Sequence, residues 1–376
     1  VIIELLIFSA IIIAYGVFIT IAIFGFGKHK EIILREDVEK HFLSIIISSR
    51  NEESNIRHCL NSIINQSYQK DKFEVILIDD ASEDQTVKIA TSILDNSGIN
   101  HTIVQQKTHF GKKANLTEGI KIAKGSIIIT SDADVVLRHN KWLETINAYY
   151  ALLNPNMLIM PIDYIDENTI LGSFQILENA ALTGTAIGFS GIKKPFLCNG
   201  ANLSFRKEIF NIVNGYESHS HISSGDDVFL LEDFKKVDSN KIIYGFNRAL
   251  IVKLQPLHDL NDFINQRVRW AYKSKENSNQ INLFGGFIVI TANLIILALL
   301  VAIVQKSEII PYLSIFTAAK LIFDFLLLFL ASKFLGYTKK YLVWFMPFEF
   351  VYWCYALLIG ILSLFYKPYW KGKKIS

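Results

Sequence analysis

Cysteine is scarce: three in 376 residues, Cys59, Cys198 and Cys354, an odd number with no metal-ligand spacing. That excludes a disulfide framework and a cysteine zinc site, and it fits a reducing compartment. Charge is also short, at 19% Asp, Glu, Lys and Arg against 51% apolar residues, below the roughly 25% of an ordinary soluble domain. The net charge of +3 comes with no basic stripe interleaved with aromatics, so a nucleic-acid partner is excluded. Nine histidines are scattered, and the His219–His221 pair reads as a polar loop rather than a zinc site. No internal repeat and no low-complexity linker interrupts the chain.

What the chain has is an uneven distribution of apolar residues. Ile2 to Phe26 is an apolar run long enough to cross a bilayer, which takes about 20 residues. Its basic flank (Lys28, His29, Lys30, Arg35) follows the run and no small-x-small cleavage site appears. A span with a cytoplasmic C-terminal end fits better than a signal peptide. Ile281 to Val304 and Ile309 to Ala331 read as two further spans, and Tyr341 to Tyr366 as a third apolar segment containing Pro347 and Glu349. Three full crossings from a cytoplasmic domain would carry Lys367, Lys371, Lys373 and Lys374 to the far side. Either the last segment is re-entrant or interfacial, or the positive-inside rule is broken here. Lys320 and Asp324 are i,i+4 neighbours within a span and can neutralise each other; with Glu349 they are also functional candidates because intramembrane charge is costly.

Between the apolar ends the pattern is that of a globular α/β domain. Leu43 to Ser48, Phe73 to Ile78, the segment HTIVQQ and Ser126 to Thr130 are short apolar runs. Helical stretches separate them, at about 55–66, from 84, and over about 113–123. This alternation predicts βαβ units and a parallel sheet. Polar and acidic residues collect after the strands: Ser48 to Glu53, Asp79-Asp80, and Ser131-Asp132-Ala133-Asp134. Strand C-terminal ends are where open α/β sheets bind ligands. Asp132 and Asp134, two apart in an extended segment, would present both carboxylates to one ligand, and hard oxygen donors suit Mg²⁺ or Mn²⁺. An Asp-rich turn is the plainer account of either pair taken alone, and helix capping is the plainer account of Asp226-Asp227. Phe263 to Trp270 (FINQRVRW) reads as an amphipathic helix, either an interfacial anchor or a phosphate clamp through Gln266, Arg269 and Trp270.

In order along residues 42–275 stand IIISSRNEESNIRHCLNSIINQSY, EVILIDDASEDQT, GKKANLTEGI, GSIIITSDADV, LCNGANLSFRKEIF, SGDDVFLL and QRVRW. Together these strings resemble the family-2 inverting glycosyltransferases of GT-A fold, in the membrane-bound branch of cellulose, chitin and hyaluronan synthases and ceramide glucosyltransferase. The resemblance implies a Rossmann-like, mostly parallel sheet in a catalytic domain flanked by transmembrane helices. It assigns 1–27 to an N-terminal span, 28–257 to a cytoplasmic catalytic domain, 258–280 to an interfacial helix, and 281–376 to a C-terminal membrane region with a basic tail. It implies a nucleotide-sugar donor, UDP rather than GDP, and an integral membrane protein of bacterial inner-membrane type. By position, Ser48, Arg50 and Glu52 match the uridine-side pocket, Asp80 the residue bonding the base, and Lys112 a lysine of the donor region. Asp132 would face ribose or sugar and Asp134 the metal, Mg²⁺ or Mn²⁺. Asp227 falls at the catalytic base, and Gln266, Arg269 and Trp270 at the QxxRW motif that closes over the diphosphate. The family often has Glu-Asp where this chain has Asp226-Asp227. The leading expectation is sugar transfer to a lipid or lipid-linked acceptor. A processive polysaccharide synthase is the alternative, and a non-catalytic membrane scaffold is the alternative of another class.

Overall fold

The computed structural model describes residues 2–35, 37–219, 225–276, 279–337, 339–365, 369–370 and 373–374. His221 of the His-Ser-His pair and Lys367 and Lys371 of the basic tail lie outside the described residues. The chain forms two compact units, one from His29–Ile165 with Lys193–Gln255, the other from the N-terminal helix, Asp166–Ile192 and the chain from Pro256 onward.

The first unit is built on ten strands: β1 Leu43–Ser49, β2 Phe73–Asp79, β3 Asn100–Gln105, β4 Ile127–Asp132, β5 Val136–Leu137, β6 Met157–Ile159, β7 Ile162–Tyr164, β8 Asn202–Arg206, β9 Ile242–Tyr244 and β10 Val252–Leu254. Seven form one sheet in the order β3-β2-β1-β4-β8-β6-β9, and β5-β10-β7 form a second. In the seven-stranded sheet β1, β2, β3 and β4 are mutually parallel, and β8 runs antiparallel to its neighbours β4 and β6. The mostly parallel Rossmann-like sheet is therefore present. Leu43, Ile45, Ile46 and Ile47 of β1 are fully buried, as a central strand covered by helices on both faces requires. The helices Ile56–Ile64, Thr86–Asp95 and Lys112–Ile122 connect successive strands. One core runs from Ile45 and Leu77 through Leu60 and Leu94 to Trp142 and Tyr149.

Strand order reverses at β1: β2 and β3 lie to one side and β4 to the other. The crevice at such a switch point opens beyond the strand C-termini. Ser48 is in register with Asp132 and Ser49 with Asp79, so the three polar strand ends emerge side by side.

The second unit is helical: Ile2–Phe26, Ile170–Gly191, Leu260–Glu276, Gln280–Gln305, Ile310–Leu335 and Lys339–Phe365. Among the described residues four helices, Ile2–Phe26, Gln280–Gln305, Ile310–Leu335 and Leu342–Phe365, are long and apolar enough to cross a membrane. Large apolar side chains point outward along them, Ile3, Phe287, Val304 and Phe365 among them, the reverse of a water-soluble surface pattern. The last helix continues through Pro347 without a break. Ile170–Gly191 groups with these helices although it lies within the 28–257 stretch. Its backbone touches that of the N-terminal helix: a Cβ on Gly188 would collide with the Ala22 backbone, and one on Gly191 with Gly25. Small residues permit such close packing where apolar burial gives little driving force.

Candidate functional site

The loop after β1 is laced to the loop after β2. The Asn51 side chain accepts the Glu83 N–H at 3.0 Å, and Glu53 accepts that of Gln85 at 3.0 Å. In return the Glu52 N–H donates to Thr86 Oγ1 at 2.7 Å and the Glu53 N–H to Asp84 at 3.1 Å. Both loops turn through left-handed residues, Asn51 at φ 54° and Ala81 at φ 56°. Asparagine tolerates that region, whereas alanine there is strained and marks a constrained site. Asp79 serves this turn, accepting the Ser82 N–H at 2.9 Å.

Asp80 points to the other side and clasps the loop preceding the Lys112–Ile122 helix. Its carboxylate accepts the Phe110 N–H at 2.8 Å and the Gly111 N–H at 3.2 Å, and His109 Nδ1 lies 2.5 Å away. Burial alone would raise its pKa; the Phe110 N–H, the Asn115 side chain, the Gly111 N–H and His109 outweigh it and hold the carboxyl below its ordinary value. The Asn115 side chain also donates to Ser48 Oγ at 3.2 Å, tying β1's end to the same helix. Lys112 is the first residue of that helix.

Lys112 Nζ lies 2.6 Å from Asp132 and 3.4 Å from Asp226. Its burial works against the ammonium, but Asp132 and then Asp226 more than reverse this and raise its pKa. Asp226 and Asp227 open the Asp226–Asp238 helix, after Gly225 at φ 83°, and negative charge is favourable in a first turn. Asp227 Oδ2 accepts the Gly200 N–H at 3.1 Å. Gly200 leaves room for this pair: a Cβ there would sit 2.8 Å from Asp226 Oδ2, which would have to shift, and 3.5 Å from Lys112 Nζ. Tyr216 is buried, and burial first, then Asp226, raises its hydroxyl pKa.

The extended geometry expected for Asp132 and Asp134 is corrected. β4 ends at Asp132; Ala133 and Asp134 form a turn in which the Val135 N–H reaches back to Asp132 O at 3.3 Å. The buried Ala133 side chain takes the chain inward there, which extended alternation does not foresee. Asp134 nevertheless stays in the cluster, its pKa pushed up to about 7 by burial and then by the negative charges of Asp132 and Glu52. Oxygen donors crowded with like charge suit a hard divalent cation. Among the described residues no three acidic, His or Cys side chains form a ready-made metal cage. Mg²⁺ commonly takes one or two carboxylates and completes its shell with water and substrate phosphates, so the pair fits that mode.

The first unit thus brings together Ser48, Glu52, Asp80, Lys112, Asp132, Asp134 and Asp227 at one sheet edge, with Arg50 in the β1 loop. Gln266, Arg269 and Trp270 belong to the other unit, on the Leu260–Glu276 helix. Sequence reasoning missed His109, Gly200 and Tyr216. The Asn199-Gly200-Ala201 string was visible in the sequence, but the role of Gly200 as a spacer beside three charged side chains was not.

Comparison with known proteins gives a family match over part of the chain. Residues 44–212 match the family model described as Glycosyl transferase family 2. Among curated relatives, the chain is 36% identical over 103 residues to glycosyltransferase AglE of Haloferax volcanii, covering 27% of this chain and 33% of that protein. It is 29% identical over 107 residues to the dolichyl-phosphate beta-glucosyltransferase of Dictyostelium discoideum, again 27% of this chain and 33% of the relative. The matched stretch spans about a third of the length of these two relatives. The fold is similar to that of the mannosyltransferase PcManGT from Pyrobaculum calidifontis in complex with GDP-Man and Mn²⁺, at TM-score 0.56 and 15% identity over 96% of this chain and 100% of that one. Residues 44–212 thus match a glycosyl transferase family 2 model, and they lie in a mixed α/β, GT-A-like fold with a mostly parallel sheet.

Proposed function

We propose that this protein transfers a sugar, with inversion, from a nucleotide-sugar to a lipid or lipid-linked acceptor at the cytoplasmic face of a membrane. The observation that carries this reading is the charge cluster at the β1/β4 switch point. Asp132, Asp226 and Lys112 interlock there, Asp132 and Glu52 crowd against Asp134, and Asp227 is held by the Gly200 N–H. The dolichyl-phosphate name of one relative and four helices long enough to cross a membrane support a lipid acceptor.

Ser48, Arg50, Glu52 and Asp80 are assigned to the nucleoside side of the donor. Asp80 acts there by fixing the His109–Gly111 loop as well as by offering an acceptor, because its carboxylate already holds that loop. Asp132 and Asp134 would hold Mg²⁺ or Mn²⁺, which supplies neutralisation of the diphosphate when bound. Lys112, now shared between two carboxylates, has a cation to offer the same phosphates. Asp227 takes the proton of the attacking acceptor hydroxyl. Its Gly200 contact leaves carboxylate lone pairs for that proton, since a carboxylate has about four acceptor sites. Gln266, Arg269 and Trp270 are assigned to the departing diphosphate.

The test is nucleoside diphosphate release by detergent-purified protein across UDP- and GDP-sugars. Assays contain Mg²⁺ or Mn²⁺, with and without a membrane lipid extract, and Asp134→Ala serves as the control. Release from one donor, increased by lipid and lost in the variant, is the expected result. Release indifferent to lipid favours polymer synthesis, and neither release nor donor binding returns the scaffold reading.

A further inference from the structure

The helical unit contains a buried ion pair to which the sequence motif gave no role. Arg267, between Gln266 and Arg269, is 3% exposed, and its partner Glu178 on the Ile170–Gly191 helix is 9% exposed. Arg267 donates from Nε at 2.8 Å and Nη2 at 2.6 Å to the same Glu178 oxygen, and the Tyr355 hydroxyl donates to the other. The third guanidinium nitrogen, Nη1, donates to Gln266 Oε1. Two rings lie against the Arg267 guanidinium, Phe263 at 4.5 Å and Trp270 at 4.3 Å to the centroids. Phe263 in turn stacks on Tyr355 at 5.7 Å.

One guanidinium therefore touches two of the three motif residues. Its bond to Gln266 orients that amide, because Oε1 is committed to Arg267 and the NH₂ end must face away. Its contact with Trp270 fixes the indole plane. Five fixed donors and a flat, weakly hydrated cation suit arginine to this double duty, and lysine cannot reproduce the fork or the stacking. Glu178 and Tyr355, from two other helices, hold the guanidinium itself. A buried pair of this kind is weak evidence for stability alone, since apolar residues of the same volume often serve as well.

We propose that Arg267 and Glu178, with Tyr355 as a tether, are positioning residues for the Gln266-x-x-Arg269-Trp270 motif, so that two neighbouring helices set the geometry of the donor clamp. The kinetic part rests on the transferase reading; the packing part does not. Arg267→Lys, Glu178→Gln and the milder Tyr355→Phe are compared with Lys320→Met, which breaks another buried ion pair of the same unit. Two readouts are taken, kcat and donor KM for nucleoside diphosphate release, and acrylamide quenching of Trp270, obtained by difference from a Trp270→Phe parent.

Misplacement of a clamp by an ångström costs up to about 10²-fold in rate. The expectation is a kcat fall of about ten- to a hundredfold in Arg267→Lys and Glu178→Gln, a smaller fall in Tyr355→Phe, and more accessible Trp270 in all three. Lys320→Met should melt lower with kcat and Trp270 quenching unchanged. Variants that melt lower but keep kcat and Trp270 quenching at wild-type values overturn the proposal. If the wild type releases nothing from any donor, the transferase reading fails, and the quenching series alone decides whether Arg267 and Glu178 hold Trp270.

Discussion

Each unit holds a lysine between two carboxylates, and the two arrangements differ in their exposure and in the elements that supply the partners. Lys112 pairs with Asp132 and Asp226 at side-chain exposures of 19%, 37% and 12%. Lys320 pairs with Asp324 at 2.9 Å and with Glu349, and its own side chain is 2% exposed. Lys112 is the first residue of its helix, where the macrodipole disfavours a cation. Asp132 and Asp226, with Asp227 beyond them, offset that placement, and on the proposed reading an incoming diphosphate would replace them. Lys320 lies mid-helix, joined to Asp324 one turn on and to Glu349 of the last helix, while Tyr15 of the N-terminal helix donates to Asp324. Each of these partners lies on an apolar helix. The cluster at the strand ends is open and crowded with surplus negative charge; the one among apolar helices is closed and ties three of them together.

The comparison is broken most severely if Asp227→Asn leaves turnover intact. General bases contribute about 10²–10⁴-fold, so kcat should fall by that much in the release assay while donor binding, followed by calorimetry, stays within about twofold. Next in size is Lys320→Met. Removing one partner of a buried pair costs about 3–5 kcal/mol, because the remaining charges are left uncompensated. The midpoint of thermal unfolding in detergent should drop sharply with kcat unaffected at permissive temperature. A drop in kcat without loss of stability would assign the apolar cluster a chemical role instead. A third, smaller effect is expected of Gly200→Ala. The added Cβ meets the movable end of Asp226 rather than backbone, so stability should change little. Displacing Asp226 from Lys112 should lower kcat/KM about tenfold, and an unchanged value would mean that the Lys112 cluster tolerates rearrangement.

Much of this was legible in the sequence for identifiable reasons. β1, β2 and β4 are mainly apolar runs, with Ser44 and Glu74 as the early interruptions, ended by acidic or polar residues, so both the sheet and its polar edge could be read from period and punctuation. The apolar helices were equally plain. The Ile170–Gly191 helix was not: Gln175, Glu178 and Asn179 interrupt its apolar face, and it sits between strands of the α/β unit in the chain. Its polar residues are buried through tertiary partners, as Glu178 with Arg267 and Gln175 with the Leu257 backbone show, and no local pattern announces those partners. The Asp132–Asp134 geometry was misread for a similar reason. A strand pattern does not say at which residue the strand stops, and here it stops between the two carboxylates.

A further effect, on stability alone, concerns Asp80, and its sign follows from its partners. N–H donors and His109 favour the ionised form, so the folded pKa lies below the ordinary carboxylate value. A group depressed in this way contributes its stability fully above the unfolded pKa and loses it as pH falls through the folded one. Asp80→Asn removes the charge and confronts the Phe110 and Gly111 N–H groups with a side chain that has only one acceptor oxygen. Hydrogen bonds to charged groups contribute about 1.5–3 kcal/mol, so near neutral pH the variant should unfold at a lower temperature than wild type. That gap should close as the pH is taken below the carboxylate range, because wild-type Asp80 then becomes neutral too. A gap that stays constant from neutral to acid pH would mean that shape, and not charge, lets Asp80 hold the His109–Gly111 loop. The contrast would then sharpen further, with Lys112 and its carboxylates the part of this edge where charge itself matters.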